Sequence, residues 1–174
     1  MEVLAVFDDG NFDPEWKRIE RSAVRAVIVR DGKVALVKSG KEGYFKFPGG
    51  GIERGETHVQ TLCRETMEEA GLKIRAGSVR EIGMIREIRK SISGENEIFD
   101  QTSYYYFADV EDSPGSVSLD GYEAELGFVP EWVDIKEAYE TDAELGRHYR
   151  SKFILREAFV LGMLLDVPRL PAMA

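Results

Sequence analysis

Short apolar runs, bounded by turns rich in Gly, Asp and Asn, predict strands on both sides of one helical segment. Val3 to Phe7 and Glu15 to Arg21 read as two strands around Asp8-Asp9-Gly10-Asn11. Ser22 to Val29 and Lys33 to Lys38 read as a hairpin joined at Asp31-Gly32, a dipeptide suited to a tight turn. Tyr44 to Phe47 is a short strand leading into Pro48-Gly49-Gly50-Gly51. A second hairpin is expected between Val79 to Lys90 and Ile98 to Val110, around Ser93-Gly94-Glu95-Asn96. An acidic loop from Glu111 to Glu125 then leads to a strand near Phe128 to Val133. Helices are predicted over Lys136 to Glu140 and Ala143 to Leu165, the latter with Phe153, Ile154, Phe159, Val160 and Met163 for packing. The tail with Pro168 and Pro171 should fray. The pattern alone supports α plus β with a mixed sheet.

The period changes at Thr57. Thr57-His58-Val59-Gln60 fits a capping box, and Gly71 suits the left-handed residue that closes a helix. At roughly 100° per residue, Val59, Leu62, Cys63, Thr66 and Ala70 gather on one side, fit to dock on a sheet. Glu65, Glu68 and Glu69 gather on another, because positions three and four apart are neighbours on a helix. Three carboxylates there repel one another, so something positive should sit among them. Oxygen ligands of this kind suit Mg²⁺ or Mn²⁺. The glycines at 49 to 51 let backbone approach such a centre where a side chain would obstruct.

The stretch from Gly50 to Leu72, GGIERGETHVQTLCRETMEEAGL, resembles the Nudix box. It runs Gly50, five residues, Glu56, seven residues, Arg64-Glu65, two residues, Glu68-Glu69, one residue, Gly71. Thr66 departs from the pattern, standing where the family has an aliphatic side chain. The resemblance implies a Nudix-type α/β/α sandwich with a mixed β-sheet and a central catalytic helix. Residues 1–174 would be a single Nudix hydrolase domain, with 1–21 as an N-terminal strand extension and 143–165 as a C-terminal helix. It also implies a Mg²⁺- or Mn²⁺-dependent hydrolase of a nucleoside diphosphate linked to a further group. By position, Glu68, Glu69 and the Gly49 carbonyl would hold metal, and Glu65 would bind metal or orient the attacking water with Arg64 fixing it. Gly50, Glu56 and Gly71 would be structural. A further carboxylate before a late strand is common in the family; Glu123 and Glu125 occupy that place, with Glu125 preferred. Lys38, Lys41 and Lys46 flank the glycine turn, and Lys38 and Lys46 are candidate phosphate contacts. The family's marks for ADP-ribose (a proline near Arg86 to Arg89), coenzyme A and dinucleoside polyphosphates (a tyrosine before Tyr104) are absent. By elimination this favours a nucleoside triphosphate, plain or modified. The alternative is a Nudix-fold regulatory module that binds a nucleotide with little turnover.

Composition narrows the setting. A chain of 174 residues with 43% hydrophobic and 32% charged content suits one globular domain. The single cysteine, Cys63, leaves no internal disulfide to form, and no basic-plus-apolar leader or long apolar span is visible, so a cytoplasmic protein is expected. A formal charge of −9 argues against nonspecific binding to nucleic-acid backbones, and the lack of a long apolar span against membrane insertion. Neither opposes a small nucleotide, since a bound metal reverses the local field. Oligomeric state is not readable. No Ser-His-Asp order, zinc-type spacing or Walker loop occurs. His58 and His148 are isolated and suit surface or capping roles, and Cys63 sits on the apolar stripe. Tyr104-Tyr105-Tyr106-Phe107 reads first as sheet core and second as a platform for a nucleobase.

Overall fold

A computed structural model describes residues 1–112, 115–149 and 152–166; the tail with Pro168 and Pro171 lies outside the described residues. In chain order the elements are β1 (Val3–Asp8), β2 (Lys17–Val27), β3 (Val29–Arg30), β4 (Lys33–Ser39), β5 (Phe45–Lys46), α1 (His58–Ala70), β6 (Arg80–Lys90), β7 (Glu97–Phe107), α2 (Gly121–Leu126), β8 (Phe128–Asp134), α3 (Ile135–His148) and α4 (Phe153–Asp166). Among the described residues no helix is long and apolar enough to cross a membrane. The chain divides into two compact units: Met1–Ile28 with Pro48–Ser118, and Val29–Phe47 with the residues from Leu119 on.

The first unit is built on a mixed sheet of order β1-β6-β7-β2, in which β1 runs parallel to β6, β6 antiparallel to β7, and β7 parallel to β2. Glu15 to Arg21 and Ser22 to Val29, expected as separate strands, form the single strand β2, which pairs with β7 from Lys17↔Glu97 to Val27↔Phe107. Residues 23–27 are buried on both faces, so they suit a strand covered on each face rather than one arm of an exposed hairpin. Of the expected hairpin at Asp31-Gly32, only Val29↔Val34 and Arg30↔Lys33 pair. The β6–β7 hairpin forms as expected.

Helix α1 packs against β2. Thr57 accepts from the Gln60 N–H, the Gln60 side chain accepts from the Thr57 N–H, and Gly71 (φ 64°) donates to the Met67 carbonyl at 3.0 Å. Leu62, Thr66 and Ala70 are buried as the stripe requires. Thr66 is fully buried, and its hydroxyl has no hydrogen-bond partner among the described residues. A desolvated, unpaired hydroxyl is unfavourable.

In the second unit β4 is central: β3 and β5 share one of its edges and β8 takes the other. Helices α3 and α4 pack on each other and on β5. The predicted helix from Ala143 to Leu165 is instead divided. Tyr149 is extended (φ −83°, ψ 141°), with its ring set edge-on to Tyr44 and Phe153 and its hydroxyl donating to Glu42 at 2.6 Å. Those contacts outweigh continuation of the helix. Upstream, α3 runs unbroken through Asp142, because Asp134 caps its start at the Lys136 and Glu137 N–H groups.

Two carboxylates reach β5 from the helices. Asp142 of α3 accepts from the Phe45 N–H at 2.9 Å, and Glu157 of α4 accepts from the Phe47 N–H at 3.0 Å. Both acids are fully buried. Arg156 neutralises Glu157 with two bonds, at 2.9 and 2.8 Å, to its other oxygen. Asp142 Oδ2 has no partner among the described residues.

Two predictions follow from these buried polar groups. Thr66→Val keeps the shape, removes the unpaired hydroxyl and should raise unfolding stability by about 1 kcal/mol in urea melts; a loss of stability would show that the hydroxyl is satisfied. Burial, reinforced by Glu157 and opposed by the Phe45 N–H, pushes the Asp142 carboxyl up to about 8. An unfolded Asp titrates near 3.9, so the folded state holds the proton more tightly. The resulting stability is full below about pH 4 and drains away as pH rises to about 8. Relative to the native protein, Asp142→Asn should therefore gain on the order of a few kcal/mol between pH 4 and 8. Parallel stability curves for the two proteins would contradict this.

Candidate active site

The glycine turn is bonded to β2 backbone to backbone. The Val24 N–H donates to the Gly50 carbonyl (3.0 Å), the Ala26 N–H to the Pro48 carbonyl (2.8 Å), and the Ile52 N–H to the Ser22 carbonyl (3.0 Å), with Ala23 bridging Gly51. At Gly49, φ is +140° and a Cβ would stand 2.1 Å from the Val24 carbonyl oxygen. At Gly50 a Cβ would stand 2.4 Å from the Glu65 carboxyl carbon. The missing side chains thus let the turn lie on the strand and let Glu65 lie on the turn. Around Gly49, the N–H donates to Glu69 at 2.9 Å and the carbonyl accepts from the buried Arg25 guanidinium.

Arg64 supplies the positive charge the carboxylates call for. Its Nε and Nη2 grip Glu56, each at 2.8 Å. Its Nη1 donates to Glu65 at 2.8 Å and to Glu68, one helical turn on, at 3.2 Å. Glu56 also accepts from the Thr61 hydroxyl at 2.8 Å. The Arg64 guanidinium, helped by Thr61, holds the Glu56 carboxyl down to about 2. Glu69 is buried, whereas Glu68 is partly open to solvent. In this arrangement no three His, Cys, Asp or Glu side chains among the described residues are gathered as a metal ion requires.

The remaining candidates are placed differently. Lys46 lies 3.7 Å from Glu123 and sits over the Phe128 ring at 4.5 Å, while Lys38 sits over Phe45 at 5.3 Å. Glu123 and Glu125, expected on a loop, lie on α2, which is set by a reciprocal capping box between Asp120 and Glu123. The spacing Asp120-x-x-Glu123 is the sequence signal for that helix, hidden within an acidic run. Glu125 is exposed. In the first unit His58 Nδ1 is 2.6 Å from the Tyr106 hydroxyl and its ring lies 4.5 Å from Tyr104. Tyr105 and Tyr106 are buried, as sheet core requires. Cys63 is half-buried, and burial pushes its thiol up. Arg25 carries no motif signal; only its surroundings mark it.

A glycine turn laid on a strand, with an acidic helix braced by one arginine beside it, defines the class. A NUDIX domain model matches residues 20–154, and the chain belongs to that family. A CTP pyrophosphohydrolase of Escherichia coli (strain K12) is 40% identical over 58 residues, which are 31% of this chain and 43% of that protein. An ADP-ribose pyrophosphatase of Methanocaldococcus jannaschii is 42% identical over 53 residues, 29% of this chain and 31% of that protein. The matched stretches thus span less than half the length of each curated relative. A NUDIX hydrolase structure from Nitrosomonas europaea shares the fold at 21% identity, with a TM-score of 0.60 over 90% of this chain and 97% of that one. The fold class is therefore the α/β Nudix fold with a mixed sheet.

The three glycines should respond differently to alanine. Gly49→Ala drives a Cβ into the Val24 carbonyl and should cost about 3 kcal/mol or more of stability. Gly50→Ala meets the Glu65 carboxylate, which can swing away, so the helix-side geometry should suffer more than the melting temperature. Gly51→Ala meets only the end of Arg21, at 3.3 Å, and should be tolerated. Thermal melts of the three variants rank them; equal losses would refute the backbone contact as the constraint.

Proposed function

We propose that this chain is a metal-dependent hydrolase that cleaves a phosphoanhydride bond in a nucleoside diphosphate linked to another group. The preferred substrate is a nucleoside triphosphate, plain or modified, giving monophosphate and pyrophosphate. The observation that carries this reading is the set of four carboxylates, Glu56, Glu65, Glu68 and Glu69, organised by Arg64 and the Gly49 N–H beside the glycine turn. The names of the two curated relatives support pyrophosphate hydrolysis on nucleotide derivatives. The reading takes residues 1–174 as one Nudix hydrolase domain acting in the cytoplasm on a small nucleotide, without nucleic-acid or membrane partners.

The donor set fits Mg²⁺ or Mn²⁺. It is all oxygen, and the Cβ-free surface of Gly50 already receives the Glu65 carboxylate. Glu68, Glu69, Glu65 and the remaining lone pair of the Gly49 carbonyl would hold the ion, with Glu65 and Glu68 turning from Arg64 to do so. When bound, the ion would lower the pKa of coordinated water and offset charge on the phosphate oxygens. The chain's own contribution is positional. Glu56, held ionised, keeps Arg64 in place, and Arg64 limits where Glu65 can go to orient a water for in-line attack at phosphorus. Glu69 ties the helix to the turn through the Gly49 N–H. Glu125, exposed at the end of its own unit's α2, is the proposed additional carboxylate, and Lys38 and Lys46 the proposed phosphate contacts.

A panel of nucleoside triphosphates, dinucleoside polyphosphates, ADP-ribose and nucleotide sugars, assayed with Mg²⁺ and Mn²⁺, tests the reading. Active triphosphates should yield monophosphate and pyrophosphate, with label from ¹⁸O-water entering one product through P–O cleavage. Orthophosphate as the primary product would contradict it, and tight binding without turnover would point to the regulatory module. Glu68→Gln and Glu69→Gln, which preserve shape and, at 69, the acceptor for Gly49, should each lower turnover by about a hundredfold or more in a folded protein. Near-normal activity in both would remove the metal assignment.

A further inference from the structure

Arg25 is a buried cation with no ion-pair partner among the described residues. Only 9% of the residue is exposed. Its Nη1 donates to the Gly49 carbonyl, and its Nε is enclosed with no hydrogen-bond partner among the described residues. Other arginines of the same unit are satisfied by carboxylates: Arg18 and Arg86 share Asp100, Arg64 holds Glu56, and Arg89 holds Glu87. None of those four is buried; Arg25, which is, has only a neutral carbonyl as partner among the described residues. A guanidinium does not escape burial by losing its proton, so the folded chain keeps this charge without an ion pair among the described residues.

Among the described residues no carboxylate forms an ion pair with Arg25; Glu69 meets the same residue, Gly49, at its N–H rather than at the guanidinium. Pairing of Arg21 with Gln101, Ala23 with Ser103 and Arg25 with Tyr105 puts these side chains on one face of β2 and β7. Gln101 and Ser103 are buried there and bonded to each other at 3.0 Å, neutral polar groups on the face that carries Arg25. Glu87, on the same face of β6, is bonded to Arg89 at 2.8 Å. With Nη1 on Gly49 and Nε enclosed, Nη2 is the nitrogen of Arg25 left for an anionic oxygen, to which it would make a charge-assisted bond. In the proposed reading the Gly49 carbonyl also meets a metal ion, and two cations on one carbonyl repel each other unless an anion joins them.

We propose that Arg25 is a substrate-binding residue whose guanidinium, through Nη2, takes an oxygen of a phosphate group beside Gly49. This rests on the nucleotide reading above and makes a phosphate, rather than the base, the group that Arg25 recognises. The competing role is purely structural, a brace for the glycine turn.

The test compares the native protein with Arg25→Gln, which keeps a donor for Gly49, and Arg25→Lys, which keeps the charge. Inorganic pyrophosphate with Mg²⁺ should raise the melting temperature of the native protein, raise that of Arg25→Lys less, and leave Arg25→Gln unmoved. On the best triphosphate of the panel, Arg25→Gln should raise KM about tenfold or more with a smaller change in kcat, and Arg25→Lys should recover part of it. A brace alone would lower the melting temperature without pyrophosphate and leave both its shift and KM unchanged. Equal pyrophosphate shifts in native and Arg25→Gln proteins overturn the proposal. If Arg25→Gln does not fold, a native-sized shift in Arg25→Lys overturns it instead. An Arg25-dependent shift without hydrolysis of any nucleotide would leave the phosphate site standing and remove the hydrolase reading. Hydrolysis with an unchanged KM in folded Arg25→Gln would do the reverse.

Discussion

The carbonyl oxygen of Val24 stands where any side chain on residue 49 would have to go, and the local architecture of the first unit follows from that approach. Because the turn lies against β2, three backbone hydrogen bonds from Ser22 to Ala26 fix it at the height of the strand. The Gly49 N–H is then presented to Glu69, and the Gly49 carbonyl to Arg25. The carboxylates are thus arranged by a surface that has no side chains of its own. Glycine is required here for close approach more than for flexibility.

Electrostatics then does the rest around one guanidinium. Arg64 sits inside its own helix's acidic face, with Glu56 before it, Glu65 beside it and Glu68 a turn later. Its grip on Glu56 is bidentate, and its contacts with Glu65 and Glu68 share a single nitrogen. The first is a firm clamp; the others are easier to give up. A helix built this way tolerates three neighbouring acids at rest and can release two of them without losing its anchor.

How much was legible follows from how local each feature is. Helix α1 was readable end to end, because Thr57, Gln60 and Gly71 act within a few residues of one another. The spacing of Glu56, Arg64, Glu65, Glu68 and Glu69 was readable for the same reason. The course of β2 was not, since its continuity depends on pairing with β7, far along the chain. Neither was the break at Tyr149, which is decided by Tyr44, Phe153 and Glu42. Arg25 reads in the sequence as one more charge on a strand; only its burial, with Nε unpartnered among the described residues, gives it meaning. Lys46, singled out by proximity to the turn, proves to lie against Glu123 and Phe128.

The two helix carboxylates on β5 have a consequence for how molecules of this protein meet. An outer strand normally offers a row of bare N–H groups on which a strand from another molecule can assemble. Here Phe45 and Phe47 point theirs at Asp142 and Glu157, so a visiting strand finds those donors spent and the helix side chains in the way. Proteins more often guard such a border with lysines, prolines or bulges on the strand itself. This chain guards it from behind, with acids borne on helices, which leaves the short strand free to keep the aromatic residues its packing needs.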